Sequence, residues 1–152
     1  MAKFLYKLQN ILSIKVSLEK QSKTAYAEAS NKLDLEEINL KNLMQKGLEY
    51  EEQCRQLSIA ILDIPSIQRC NRAIDITKEL IKKQIVTVKV AERNLDLARN
   101  RLNNAMKERK TYEKLKENSF EIFMQEINAD EKKEIDELVS FKYNDNIKET
   151  GE

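Results

Sequence analysis

Asp63-Ile64-Pro65-Ser66 carries the one proline of a 152-residue chain. Proline does not fit inside an α-helix, because it lacks the amide donor and its ring clashes with the preceding turn. It does suit the first turn of a new helix, where Asp63 or Ser66 can cap. On both sides of this stretch apolar residues recur about every seven positions. The break therefore divides one long pattern into two matched arms, with the turn expected at about 62–66. A short connection between two long helices makes them antiparallel neighbours. The expected fold class is all-α: two long helices, about 3–62 and about 66–140, forming an antiparallel coiled-coil hairpin. A single domain is expected over 1–152, with a frayed polar tail at 144–152.

In the first arm the seam starts at Leu5 and Leu8 and runs through Leu12, Lys15, Glu19, Ser22, Tyr26, Ala29, Leu33, Glu36, Leu40, Leu43, Gly47, Tyr50, Cys54, Leu57, Ile61 and Ile64. It is weak from Lys15 to Ser22, where Leu18 and Ala25 lie nearby and suggest a local shift of register. Gly47 on the seam reads as close approach of the other helix or as a hinge. In the second arm Ile67, Ile74, Ile81, Val88, Leu95 and Leu102 alternate with Gln84, Ala91, Ala98 and Ala105. Large residues on one row and alanines on the other let two helices approach closely. Beyond Ala105 this frame brings in Arg109 and Lys116, so a discontinuity is expected near Met106 to Tyr112, turning Tyr112, Leu115, Ser119, Ile122 or Phe123, and Ile127 inward. Pairing about the bend would set Ile61 near Ile67, Leu43 near 85–88, Tyr26 near Leu102 and Leu8 near Phe120.

Composition narrows the function. Charged residues make up 35% of the chain and aromatics 6%, with two glycines and no tryptophan, which fits a coiled coil better than a compact globule. Without histidine the chain lacks the commonest general base and nitrogen metal ligand. There is no Gly-rich phosphate loop, paired CxxC or catalytic triad, and the acidic residues are spread over helix faces. A non-enzyme without cofactor or metal is expected. Cys54 and Cys70 lie one on each arm near the bend. A bridge there is geometrically conceivable, but free thiols in a reducing cytosol are expected. Met1-Ala2-Lys3-Phe4-Leu5-Tyr6-Lys7 does not read as a signal peptide, and no segment approaches the ~20 apolar residues that span a bilayer. Residues 89–117 hold nine Lys/Arg against five Asp/Glu, and residues 118–152 hold four against ten. The basic stretch, with Arg93, Arg99, Arg101 and Lys110, could touch phosphate, but it reads more simply as a solvated helix face with intrahelical ion pairs. No nucleic-acid partner is expected.

The opening Phe4-Leu5-Tyr6-Lys7-Leu8-Gln9-Asn10-Ile11-Leu12 resembles the start of FliJ-family flagellar export proteins. Glu108-Arg109-Lys110-Thr111-Tyr112-Glu113-Lys114-Leu115-Lys116-Glu117 is similar to a later stretch of that family. Glu131-Lys132-Lys133-Glu134-Ile135-Asp136-Glu137-Leu138 resembles its charged terminal segment. The resemblance implies a coiled-coil hairpin similar to the central stalk of rotary ATPases. It implies a cytoplasmic part of the flagellar type III export apparatus, peripheral at the inner face of the cell membrane and not inserted in it. The implied partners are the export ATPase hexamer, the large membrane subunit of the export gate, and export chaperones. Carried over by position, the ATPase contacts would be Phe4, Leu5, Leu8 and Leu12 with Glu134, Asp136 and Glu137, although arm pairing explains each leucine equally well. The gate contacts would be Tyr50, Ala73, Thr77, Leu80 and Gln84. Ala73 and Thr77 stand where the family pattern has large apolar residues, which weakens that carry-over.

Two other readings compete. One is the equivalent stalk of a virulence type III secretion system, and the other a self-associating structural coiled-coil scaffold. The break at Pro65 favours an intrachain hairpin over a continuous parallel dimer.

Overall fold

The computed structural model describes residues 2–59, 63–149 and 151. The fold is an all-α helical hairpin: two long helices, α1 (Gln9–Ile59) and α2 (Ile64–Glu149), pack against each other, and the described residues contain no strand. Contacts divide the chain into two compact units, Met1–Leu18 with Met106–Glu152, and Glu19–Ala105.

Within Glu19–Ala105 the seam follows from the heptad pattern. From Glu19 through Tyr26, Leu33, Leu40 and Gly47 to Cys54, residues alternately three and four apart are buried or half-buried. On α2 the buried residues are Thr77, Val88, Ala91 and Ala98, so the alanine row lies in the closest part of the packing. No local shift of register occurs between Lys15 and Ser22. Lys15, Glu19 and Ser22 stay in phase, while Leu18 and Ala25 face solvent. Glu19 remains inward because Lys23, one turn on, brings its ammonium to 3.5 Å from the carboxylate. Gly47 faces Thr77 and Ile81, and Glu36 meets Gln84. Leu43 is therefore level with the residues between Thr77 and Gln84 rather than with 85–88.

The turn follows the proline rule. α2 starts at Ile64, about two residues earlier than expected, with Pro65 in its first turn, where no amide donor is needed. The Ile67 amide donates to the Asp63 carbonyl at 3.1 Å, and the Ser66 hydroxyl donates to the Asp63 carboxylate at 2.5 Å. Ile61, and with it the pairing Ile61–Ile67, lies outside the described residues.

Cys54 and Cys70 form a disulfide between α1 and α2, with Cα atoms 5.7 Å apart, and no free cysteine remains. This corrects the expectation of free thiols. The two residues hold facing seam positions, and that Cα separation accepts a bridge without backbone movement.

The other unit departs further from the expected plan. Helix begins at Gln9, not near residue 3, because Phe4 and Tyr6 find partners on α2 from a non-helical segment. The Phe4 ring meets Phe120 edge-on at 5.2 Å and Phe123 at 5.4 Å, and the Tyr6 hydroxyl donates to the Tyr112 carbonyl at 3.1 Å. Phe4 thus takes the place beside Phe120 expected for Leu8.

The discontinuity expected near Met106 to Tyr112 is also absent. Arg109, Tyr112, Lys116, Ser119 and Phe123 are half-buried and continue the three–four alternation, whereas Leu115 and Ile122 are exposed. Arg109 stays on the seam because Glu113, one turn on, receives its guanidinium at 2.7 Å. α2 continues to Glu149 rather than ending near 140 with a frayed tail. No breaker intervenes before Gly151, and Lys148 in the last turn offsets the negative end of the helix dipole.

Candidate functional site

Two stretches of the Met1–Leu18 with Met106–Glu152 unit leave apolar side chains in solvent. Leu5 is 80% exposed at the edge of a surface depression formed with Phe4, Leu8, Ile122 and Phe123. On α2 every described residue from Asn128 onward is exposed, so this part of the helix buries no side chain. There Leu138 (62% exposed) and Phe141 (66%) lie beside Glu134 and Glu137 around a shallow depression, with Ile135, Val139, Tyr143 and Ile147 nearby. An exposed helix of this kind, apolar residues interleaved with acids, is suited to bury against another protein.

The seven residues carried over for the ATPase surface divide by exposure. Leu5, Glu134, Asp136 and Glu137 are exposed, while Phe4 and Leu8 are half-buried. Leu12, only 6% exposed, packs inside the unit. An ionic cluster braces this unit next to Leu12. The Lys15 ammonium donates to Glu108 at 2.8 Å and lies 5.9 Å from the centre of the Tyr112 ring. The hydrogen bond to Glu108 holds the Lys15 pKa above the ordinary lysine value; desolvation opposes the rise and the charges of Glu108 and Tyr112 add to it.

The five residues carried over for the gate lie within Glu19–Ala105. Leu80 is exposed, Tyr50 and Ala73 are half-buried, and Thr77 is buried with its hydroxyl donating to the Ala73 carbonyl at 2.7 Å. Gln84 is engaged internally. Its amide nitrogen donates to a Glu36 carboxylate oxygen at 2.5 Å and to the Glu36 carbonyl at 3.0 Å. Lys32 approaches the other carboxylate oxygen at 3.0 Å. The bond from Gln84 first, and that from Lys32 second, lower the Glu36 pKa. A polar pair across a helix seam fixes register, which the heptad pattern alone does not reveal. Met44, Gly47, Leu48, Ile74 and Ile81 border a groove on the same unit.

No group of three or more His, Cys, Asp or Glu arranged to hold a metal ion occurs among the described residues. Among the described residues no helix is long and apolar enough to cross a membrane.

The family model for Flagellar FliJ protein matches residues 4–148. The chain belongs to the FliJ family. Membership points to a component of the flagellar export machinery. No curated protein and no solved structure matches the chain. The matched span of this FliJ-family chain takes in both the Phe4–Leu12 segment and the exposed stretch of α2 up to Lys148.

The family's charged segment points to Glu134, Asp136 and Glu137 and ends at Leu138; it does not reach Phe141, Tyr143 and Ile147. The signal for these three is the recurrence of large apolar residues past the expected end of the second helix near 140.

Proposed function

We propose that this FliJ-family chain is a non-catalytic stalk and adaptor of the flagellar type III export apparatus. It binds the export ATPase hexamer and links it to the large membrane subunit of the export gate and to export chaperones. It works as one hairpin domain in the cytoplasm, peripheral at the inner face of the membrane, without nucleic acid, cofactor or membrane insertion. The observation that carries this reading is the exposed apolar and acidic stretch of α2 from Glu134 to Ile147, in the unit that also holds Leu5.

A pair of helices has no sixfold symmetry. Against a hexamer it meets different subunits differently, and only that difference in contact energy can bias their conformations. Such a role needs no catalytic side chain. The ring surface consists of Leu5 and Leu8 with Glu134, Asp136 and Glu137, extended by Leu138 and Phe141. Phe4 and Leu12 support it from within. Toward the gate, Tyr50 and Leu80 offer the accessible contacts, while Ala73, Thr77 and Gln84 shape the helix pair behind them.

The test is a pull-down with purified export ATPase. Leu5→Asp with Leu8→Asp weakens capture while the helical circular dichroism signal is kept. Undiminished capture would remove these residues from the surface. A self-associating scaffold is the second reading, favoured by the same exposed apolar side chains. Sedimentation separates the two: a monomer fits the stalk, and a stable dimer fits the scaffold. The equivalent stalk of a virulence system would capture that system's ATPase in preference to the flagellar one.

A further inference from the structure

The Cys54–Cys70 bridge has no part in the stalk reading and does not depend on it. Cys54 lies in the last described turns of α1, and Cys70 in the second turn of α2. Both residues are half-buried rather than enclosed. The Cys70 sulfur lies 3.5 Å from the Tyr50 carbonyl oxygen. A reduced Cys70 thiol therefore has an acceptor already in place, and the same backbone suits both the bridged and the dithiol forms.

What lies on the turn side of the bridge is sparse. Residues 55–59 of α1 are all exposed, and so are Asp63, Ile64 and Pro65. Ser66 and Ile67 are half-buried, and no described residue between Cys54 and Cys70 is buried. Among the described residues the bridge is thus the last strong tie between the helices before the turn. On its other side, the packing of Gly47 against Thr77 and Ile81 and the Glu36–Gln84 bond hold the helices independently of it.

We propose that Cys54 and Cys70 form a reversible thiol–disulfide site that exchanges with small thiols of the glutathione class, and that its state sets the order of residues 55–59 and 64–69. In reduction, a thiolate attacks one cysteine sulfur. The bond between the cysteines breaks, and its electron pair leaves on the other sulfur, which takes a proton from water. A second thiolate attacks the mixed disulfide and releases the remaining cysteine. One protein disulfide and two small thiols become one protein dithiol and one small-molecule disulfide, and oxidation runs the same steps backwards.

The test equilibrates the full-length protein in buffers of varied glutathione to glutathione-disulfide ratio. Free thiols are trapped by alkylation and counted by mass spectrometry, and amide hydrogen exchange is measured at both ends of the series. The expected result is one transition between no trapped thiols and two. In the reduced form residues 55–59 and 64–69 should exchange at least about tenfold faster, with residues around Glu36 and Gln84 unchanged. Cys54→Ser should show the fast pattern in every buffer. Two trapped thiols throughout, bridges only between molecules, or equal exchange rates in both forms would each overturn the proposal.

Discussion

Gly47→Ala should stabilise the chain. Gly47 lies in the interior of α1 with φ outside the left-handed region, so its backbone accepts any L-residue. A Cβ built there meets Thr77 Cγ2 at 3.5 Å and Ile81 Cδ1 at 3.7 Å, ordinary van der Waals contacts that require nothing to move. Helix propensity favours alanine by about 0.8–1.0 kcal/mol. The added methyl is half-buried and contributes roughly 0.4 kcal/mol more, half of the value for a fully buried carbon. The sum is on the order of 1.3 kcal/mol, which for a chain of this length raises Tm by about 3–5 °C. Thermal unfolding followed by circular dichroism, with the bridge kept oxidised, measures it. A lower Tm for Gly47→Ala would mean that the helices approach more closely than these distances. Raised Tm with lost ATPase or gate binding would show that the glycine serves as a hinge.

Other perturbations have equally definite outcomes. Leu95→Asp places a charge on the half-buried seam between Ala91 and Ala98 and should cost about 2–4 kcal/mol, read as a marked fall in Tm; an unaltered curve would contradict the seam assignment. The lowered Glu36 pKa means that its contribution is fully present above the ordinary value of 4.5 and is lost as pH falls through the folded value. Gln84→Leu removes the main cause of that lowering, so Tm of the variant should depend less on pH in the acid range, and an identical acid profile would assign the shift elsewhere. The raised Lys15 pKa works in the opposite direction: its contribution is present below 10.5 and is lost as pH rises through the folded value, so Glu108→Gln should flatten the alkaline part of the stability curve.

The sequence disclosed the hairpin because its local and long-range signals agree. One proline sits where a helix must start, and apolar residues alternate three and four apart on both sides of it. It misled where a charged residue holds a seam position. Arg109 and Lys116 looked like a register break, yet a long side chain can lay its stem along a seam and carry its charge to water or to a neighbour one turn away. Arg109 finds Glu113 in this way. Glu19 and Glu36 are further polar seam residues kept by nearby partners, Lys23 for one and Gln84 with Lys32 for the other.

The start of α1 was illegible for a different reason. Leu5 and Leu8 continue the heptad, so only the aromatic and hydrogen-bond partners of Phe4 and Tyr6 on α2 disclose that this segment is not helical. The two arms bring Cys54 and Cys70 together near the bend, but cysteine spacing does not report redox compartment, so the bridge itself was not legible. Of the proposed ring surface, Leu5, Leu8 and the acids could be read from the family's opening and charged segments. Phe141 could not, since it matters only once the helix is seen to continue, exposed, to Glu149.

The stalk account is tested most directly by the rate of ATP hydrolysis by purified flagellar export ATPase with the chain present or absent. Addition of the chain should raise hydrolysis, and Leu138→Asp with Phe141→Asp should abolish that rise while leaving Tm unchanged. Hydrolysis indifferent to the chain, or stimulated equally by that variant, would contradict a stalk that acts through this surface.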